Sequence, residues 1–177
     1  EKVLGGWQLS GLLSLRSGLP LSIVSGIGTF HRSGVSGANT VNLTRNLSRG
    51  ELRALTGRRD TAGGVIWMDP CLSAYLGGQC LDPGSPKGLF TLPAPGQLGE
   101  LGQTPVFGPR RFLVDASLIK RVRLRESREV EFRWEVFNVF NTVNFAPPTM
   151  NITSAAFGRI TRTVTNPRLM QFALKVN

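Results

Sequence analysis

The stretch FLVDASLIKRVRLRESREVEFRWEVFN, Phe112 to Asn138, decides how the rest of the chain is read. Its second arm alternates strictly: Val130, Phe132, Trp134 and Val136 fall on one side, and Glu129, Glu131, Arg133 and Glu135 on the other. A period of two fits neither a helix nor a strand buried on both faces. The first arm alternates more gently, with Phe112, Val114, Ala116 and Leu118 set against Leu113, Asp115, Ser117 and Ile119. The spacing therefore predicts two β-strands joined by a short charged turn over 122–128. One face calls for apolar surroundings and the other for water or ion pairs. Two environments meet that demand: a soluble sandwich with one wet face, or an outer-membrane barrel with lipid outside and a polar lumen.

The same alternation recurs at both ends of the chain. Trp7, Leu9, Gly11, Leu13 and Leu15 share one face of a candidate strand, and Gln8, Ser10, Leu12, Ser14 and Arg16 share the other. Ser17-Gly18 and Leu19-Pro20 break it, because Pro lacks a ladder donor and restricts the residue before it. Near the other end, Met170, Phe172, Leu174 and Val176 alternate with Gln171, Ala173, Lys175 and Asn177. Four strands result, at about 7–16, 112–121, 129–139 and 169–177.

Composition narrows the class. The 177 residues suffice for one domain with a sizeable core. Gly 21 and Pro 11 point to much turn and loop. Mean hydropathy is −0.01, and no run approaches the ~18 apolar residues that a membrane-spanning helix needs. Barrel strands of about 9–11 alternating residues escape that test. The formal charge of +10 raises nucleic acid as a partner. However, the 17 Arg and 4 Lys are spread over loops and strand faces and form no basic helix, so no nucleic-acid contact is expected. The chain opens on EKVLGGWQLS, with neither an initiator Met nor a signal peptide, and is expected to start inside a longer polypeptide or at a trimmed end.

Between the strands the periodicity fails. From Gly26 to about Arg111 the chain reads as either a disordered linker or a large external loop. Val65, Ile66, Trp67, Leu72, Tyr75 and Leu76 favour a partly ordered loop. A short helix is expected within Asn46 to Leu55, with Glu51 and Arg53 on its wetter side. A short extended piece is expected at Leu21 to Val24 and another at Arg159 to Val164. Cys71 and Cys80 lie nine apart in DPCLSAYLGGQCLDP, far from the single His31. Zinc is poorly supported by that set. A disulfide in an oxidising compartment is the favoured reading and two free thiols the alternative.

No catalytic constellation emerges, and neither an enzyme activity nor a cofactor is expected. The acidic residues sit beside Arg on one wet face, unlike the separated carboxylate pair of a glycosidase. His31 has no Ser/Asp setting. GIGTFHRSG, Gly26 to Gly34, lacks the Lys-Ser/Thr ending of a phosphate loop.

The links between the four strands are about 95, 7 and 29 residues long. Long, short, long is the pattern of strands crossing a bilayer with short periplasmic turns and long extracellular loops. On that reading 122–128 is periplasmic, while a very long extracellular loop spans 17–111 and a second spans 141–167. Four strands cannot close a barrel, and open edges do not occur in lipid. These strands would then be the C-terminal part of a larger wall.

Three blocks resemble the late barrel of TonB-dependent receptors, and most closely their Oar-like branch, whose members carry a carboxypeptidase-regulatory-like domain. The blocks are GWQLSGLLSLRSGLPLSI at Gly6 to Ile23, VDASLIKRVRLRESREVEFRWEVFNVFNTVNFAPP at Val114 to Pro148, and FGRITRTVTNPRLMQFALKV at Phe157 to Val176. EVFNVFNTVNF at Glu135 to Phe145 is the most specific part. Between the first two blocks only WMDP (Trp67 to Pro70) and FGPRRF (Phe107 to Phe112) match, loosely. The resemblance implies energised uptake of a scarce solute. It also implies a plug, further barrel strands and a TonB energy-transducing complex as partners, none of which these residues include. Such barrels usually end in an aromatic residue, whereas the last residue here is Asn177. The next position would carry that aromatic, so a missing terminal residue or a weakened assembly signal is expected.

On the barrel reading, Asp115, Glu129, Glu131, Arg133 and Glu135 are lumen-facing candidates. The plainer account is that Glu129, Glu131, Arg133 and Glu135 pair across to Asp115 and Lys120 on neighbouring strands. Val130, Phe132, Trp134, Val136, Phe172, Leu174 and Val176 are lipid-facing candidates, in contact with outer-membrane lipid. Trp7 and Phe112 fit an interfacial aromatic girdle. Asn138, Asn141 and Asn144 are expected to bond turn backbone. The competing function is a soluble or surface-exposed β-rich binding or adhesion module with Glu131 and Arg133 on its wet face.

Overall fold

The structure, a computed structural model, describes residues 4–29, 39–103, 105–125 and 128–176, without the side chain of Arg125. His31, most of the Gly26–Gly34 loop and Asn177 lie outside the described residues. The principal elements are β1 (Trp7–Arg16), α1 (Arg49–Ala54), β2 (Thr56–Thr61), β3 (Gly64–Met68), β4 (Arg111–Arg125), β5 (Arg128–Phe137) and β6 (Leu169–Val176). The chain divides into two units. One comprises residues 1–17, 110–144 and 163–177; the other comprises 18–109 and 145–162.

The first unit is a four-stranded antiparallel sheet in the order β1-β4-β5-β6. Its register carries the alternation of each strand into one common pair of faces, because residues directly opposite in a ladder point the same way. Leu9 faces Leu118, Leu118 faces Trp134, and Trp134 faces Phe172. One step along, Gln8 faces Ile119, Ile119 faces Arg133, and Arg133 faces Ala173. β1 and β6 do not pair with each other, so these strands alone close no barrel.

The hairpin differs from expectation. Val122 pairs with Val130, Arg123 with Glu129 and Arg125 with Arg128, so strand replaces most of the expected turn at 122–128. The alternation is the reason at Val122, which continues the apolar row, and at Arg123, which finds an acidic partner in Glu129.

The second unit is more ordered than the partly ordered loop that the sequence favours. It has its own core, including Ile23, Val41, Met68, Leu72, Phe90, Ile152 and Phe157. Phe90 and Phe157 meet edge to face with centroids 6.1 Å apart, a favoured aromatic geometry. β2 and β3 form a hairpin, and Arg159–Ile160 adds to the β3 edge against Val65 and Ile66. Gly158, at φ 73°, makes that approach feasible: a Cβ there would lie 1.9 Å from the Met68 carbonyl oxygen. Its own carbonyl accepts hydrogen bonds from the Trp67 and Met68 amides. The helix is shorter than the window Asn46–Leu55 and is closed by a capping box. Ser48 accepts from the Glu51 amide, and the Glu51 carboxylate accepts from the Ser48 amide at 2.7 Å. Of the two expected extended pieces, Pro20–Leu21 pairs with Val106–Phe107, and only Arg159–Ile160 is strand in the second.

Cys71 and Cys80 are joined by a disulfide. Beside it Asp69, 1% exposed, accepts three backbone amides: Cys71 on Oδ1, and Leu81 and Asp82 on Oδ2 at 2.9 and 3.0 Å. A buried carboxylate requires such saturation. Both long connections contribute to this unit, since Ser73 donates its hydroxyl to the Ile152 carbonyl at 2.7 Å.

Candidate functional site

The two faces of the four-stranded sheet are the functional surfaces. On the polar face the second-arm charges form a chain of contacts. Glu131 lies 2.7 Å from Arg121 and 3.1 Å from Arg133; Glu129 lies 3.8 Å from both Arg121 and Arg123; Glu135 lies 3.7 Å from Arg133 and also accepts from Gln171. Cross-strand pairing is thus present, but through Arg121, Arg123 and Gln171. Asp115 lies on the polar face and accepts the Asn138 amide at 2.8 Å. Lys120 belongs to the opposite face, because its ladder partners are Trp7 and Phe132. Of Arg121, Arg123 and Gln171, only Arg123 falls in the expected turn at 122–128; the alternation, continued past Arg121, reaches it. The face also carries apolar residues, namely Leu12, Leu113, Ile119, Phe137 and Leu169.

The apolar face gathers every residue proposed for lipid contact. Val176 opposes Val130, Leu174 opposes Phe132, Phe172 opposes Trp134, and Met170 opposes Val136. Phe172 stacks on both Trp134 and Phe132, with centroids 6.0 and 6.2 Å away. Leu9, Leu13, Leu15, Phe172, Leu174 and Val176 each expose more than half of their surface, whereas Val136, between Ala116 and Met170, is 8% exposed. A row of aliphatic side chains this long and bare has no stable place against water. Ten residues at about 3.3 Å each, tilted about 40°, rise about 25 Å, the height of a barrel's lipid band.

Both girdle candidates lie near strand ends, each with a partner. The Lys120 ammonium sits 4.8 Å over the Trp7 ring and donates to the Gly5 carbonyl. This is how a cation on an apolar face keeps its head polar while its stem stays buried. At the opposite end Phe112 packs against Phe140 with centroids 5.7 Å apart.

The exit of β5 is held by asparagines. Asn138 and Asn141 take positive φ, 54° and 50°, which Asn tolerates better than most residues. The Asn138 amide group donates to the Thr142 and Asn166 carbonyls, and Asn141 accepts the Arg168 amide. Asn144 reaches back to β4, so these side chains bond neighbouring strands as well as their own turn.

Among the described residues no group of three or more His, Cys, Asp or Glu is placed to hold a metal ion, and no helix is long and apolar enough to cross a membrane. The latter says nothing about strands. No curated protein and no solved structure matches the chain. The family model for an outer membrane beta barrel domain matches residues 1–171. A sheet with one bare apolar face and one face carrying ion pairs fits an outer-membrane wall. The chain therefore belongs to the outer-membrane β-barrel domain family and resides in the outer membrane.

Proposed function

We propose that these strands form part of the wall of a TonB-dependent receptor, a barrel that takes up a scarce solute at the expense of inner-membrane energy. The observation that carries the reading is the division of the sheet. An apolar face suited to lipid backs a polar face whose charges toward the hairpin are paired with one another, as suits a lumen filled by water or a plug. The resemblance of Glu135 to Phe145 and of the flanking blocks to that receptor group supplies the energised step. On this reading the free edges of β1 and β6 pair with further strands of the same wall. The hairpin end of β4 and β5 is periplasmic, and the disulfide-bonded unit is extracellular. The role is structural and solute-guiding, with no catalysis.

Two measurements test it. Photo-crosslinkers at 130, 132, 134 and 136 should capture acyl chains, and those at 131, 133 and 135 should not; equal labelling of both rows removes the lumen assignment. The intact protein should bind the TonB energy-transducing protein through its plug. Solute entry unchanged by loss of that transducer would leave a passive barrel.

A further inference from the structure

On the polar face, Arg16 of β1 lies directly opposite Arg111 of β4. Like charges in opposed positions destabilise a sheet. Elsewhere on that face Arg121, Arg123 and Arg133 each have a carboxylate within 4 Å. Among the described residues, Arg16, Arg111 and the adjoining Arg110 have no ion pair. Instead the three line a cavity of about 510 Å³, together with Ser17, Thr142 and Asn144. That volume lies within the range of small-molecule sites.

We infer that Arg16, Arg110 and Arg111 form a binding site for a phosphate group at the end of the polar face remote from the hairpin. Three guanidinium groups are balanced by a multiply charged oxyanion better than by a single carboxylate. The planar fork of arginine matches phosphate oxygens in a bidentate way that lysine does not. Ser17 and Thr142 add neutral hydrogen-bonding side chains to the same wall. The phosphate can belong to a solute in the lumen or to a lipid headgroup. The inference rests on the polar face being the wet side, as proposed above, but its test reads binding and not uptake, so the two can fail separately.

The test uses the intact barrel protein in uncharged detergent, titrated with pyrophosphate by calorimetry and followed by thermal unfolding. Wild type should bind and gain thermal stability, as linkage requires. Arg16→Gln/Arg111→Gln should bind about tenfold or more weakly, since charge-assisted bonds are lost, while its midpoint without ligand equals or exceeds wild type. Arg45→Gln removes the same charge in the other unit and should bind like wild type. If the double variant fails to fold, Arg110→Gln, outside the sheet, supplies the reading and should also bind weakly. In phosphatidylcholine vesicles with and without phosphatidic acid, stabilisation of wild type but not of the variants by phosphatidic acid alone assigns the phosphate to lipid. Stabilisation by pyrophosphate in plain phosphatidylcholine assigns it to a solute. Arginine variants that bind as tightly as wild type, or a wild type that responds to neither phosphate, would overturn the site.

Discussion

The side chain of Asn144 takes the place of a strand partner for Phe112: its Oδ1 accepts the Phe112 amide at 2.7 Å, and its Nδ2 donates to the Phe112 carbonyl at 2.8 Å. The ladder partner of Phe112 on the other side is Leu15 of β1. A second donation, to the Thr165 hydroxyl at 3.3 Å, connects the start of β4 with the approach to β6. Asn144 is 2% exposed, so water cannot readily replace these bonds.

Asn144→Leu should therefore destabilise the assembled barrel by about 2–4 kcal/mol, because two backbone groups lose their partner where solvent has little access. Asn144→Asp should cost less, since the acceptor for the Phe112 amide survives. Urea unfolding in detergent measures both. Equal stability of Asn144→Leu and wild type would show that the bonds are dispensable.

Opposite faces of β5 should respond differently to charge. Phe132→Arg places a guanidinium among Leu174, Phe172 and Lys120, at about 2–4 kcal/mol if the site is near the bilayer midplane and less toward an interface. Glu131→Gln removes one link from a chain in which Arg121 retains Glu129 and Arg133 retains Glu135. Its cost should be on the order of 0.2–1 kcal/mol. The yield of protease-resistant barrel in outer membranes ranks the two, and the ranking should reverse only if the faces have been interchanged.

The disulfide closes a loop between residues nine apart. Chain entropy alone gives about 2–3 kcal/mol for a loop of that size. Cys71→Ser/Cys80→Ser should leave the sheet assembled while raising protease cleavage within 18–109. Cleavage at the same rate as wild type would mean that Asp69 and the surrounding core hold the loop without the bond.

The Ser48 amide, with the Ser48 hydroxyl second, holds the Glu51 carboxyl below its ordinary value. A lowered folded-state value stabilises the capped helix above the unfolded carboxyl pKa, and the contribution is lost as pH falls through the folded value. Amide exchange in residues 49–54 should therefore gain protection from acidic to neutral pH, after correction for intrinsic exchange rates. Ser48→Ala should flatten that dependence. A pH dependence identical in the variant would remove the capping box as its cause.

The division between what was legible and what was not follows from the range of the interactions. Strict alternation is local: Glu129 to Val136 reveals its two faces without any partner, and four such stretches with long, short and long links admit few pairings. The sheet order β1-β4-β5-β6 and the grouping of Phe132, Trp134 and Phe172 were thus written in the sequence. The extra rungs at Val122 and Arg123 were obscured only because a charged stretch resembles a turn. The second unit was illegible for a different reason. Its strand pairs outside β2 and β3 are two residues long, too short to display a period. Its core joins Ile23 to Met150, Ile152 and Phe157 across more than a hundred residues of sequence. Likewise nothing local marks Asp69 as the acceptor for Leu81 and Asp82, or Asn144 as the partner of Phe112. Those bonds depend on which backbone groups are brought close and kept from water, and only the tertiary structure decides that.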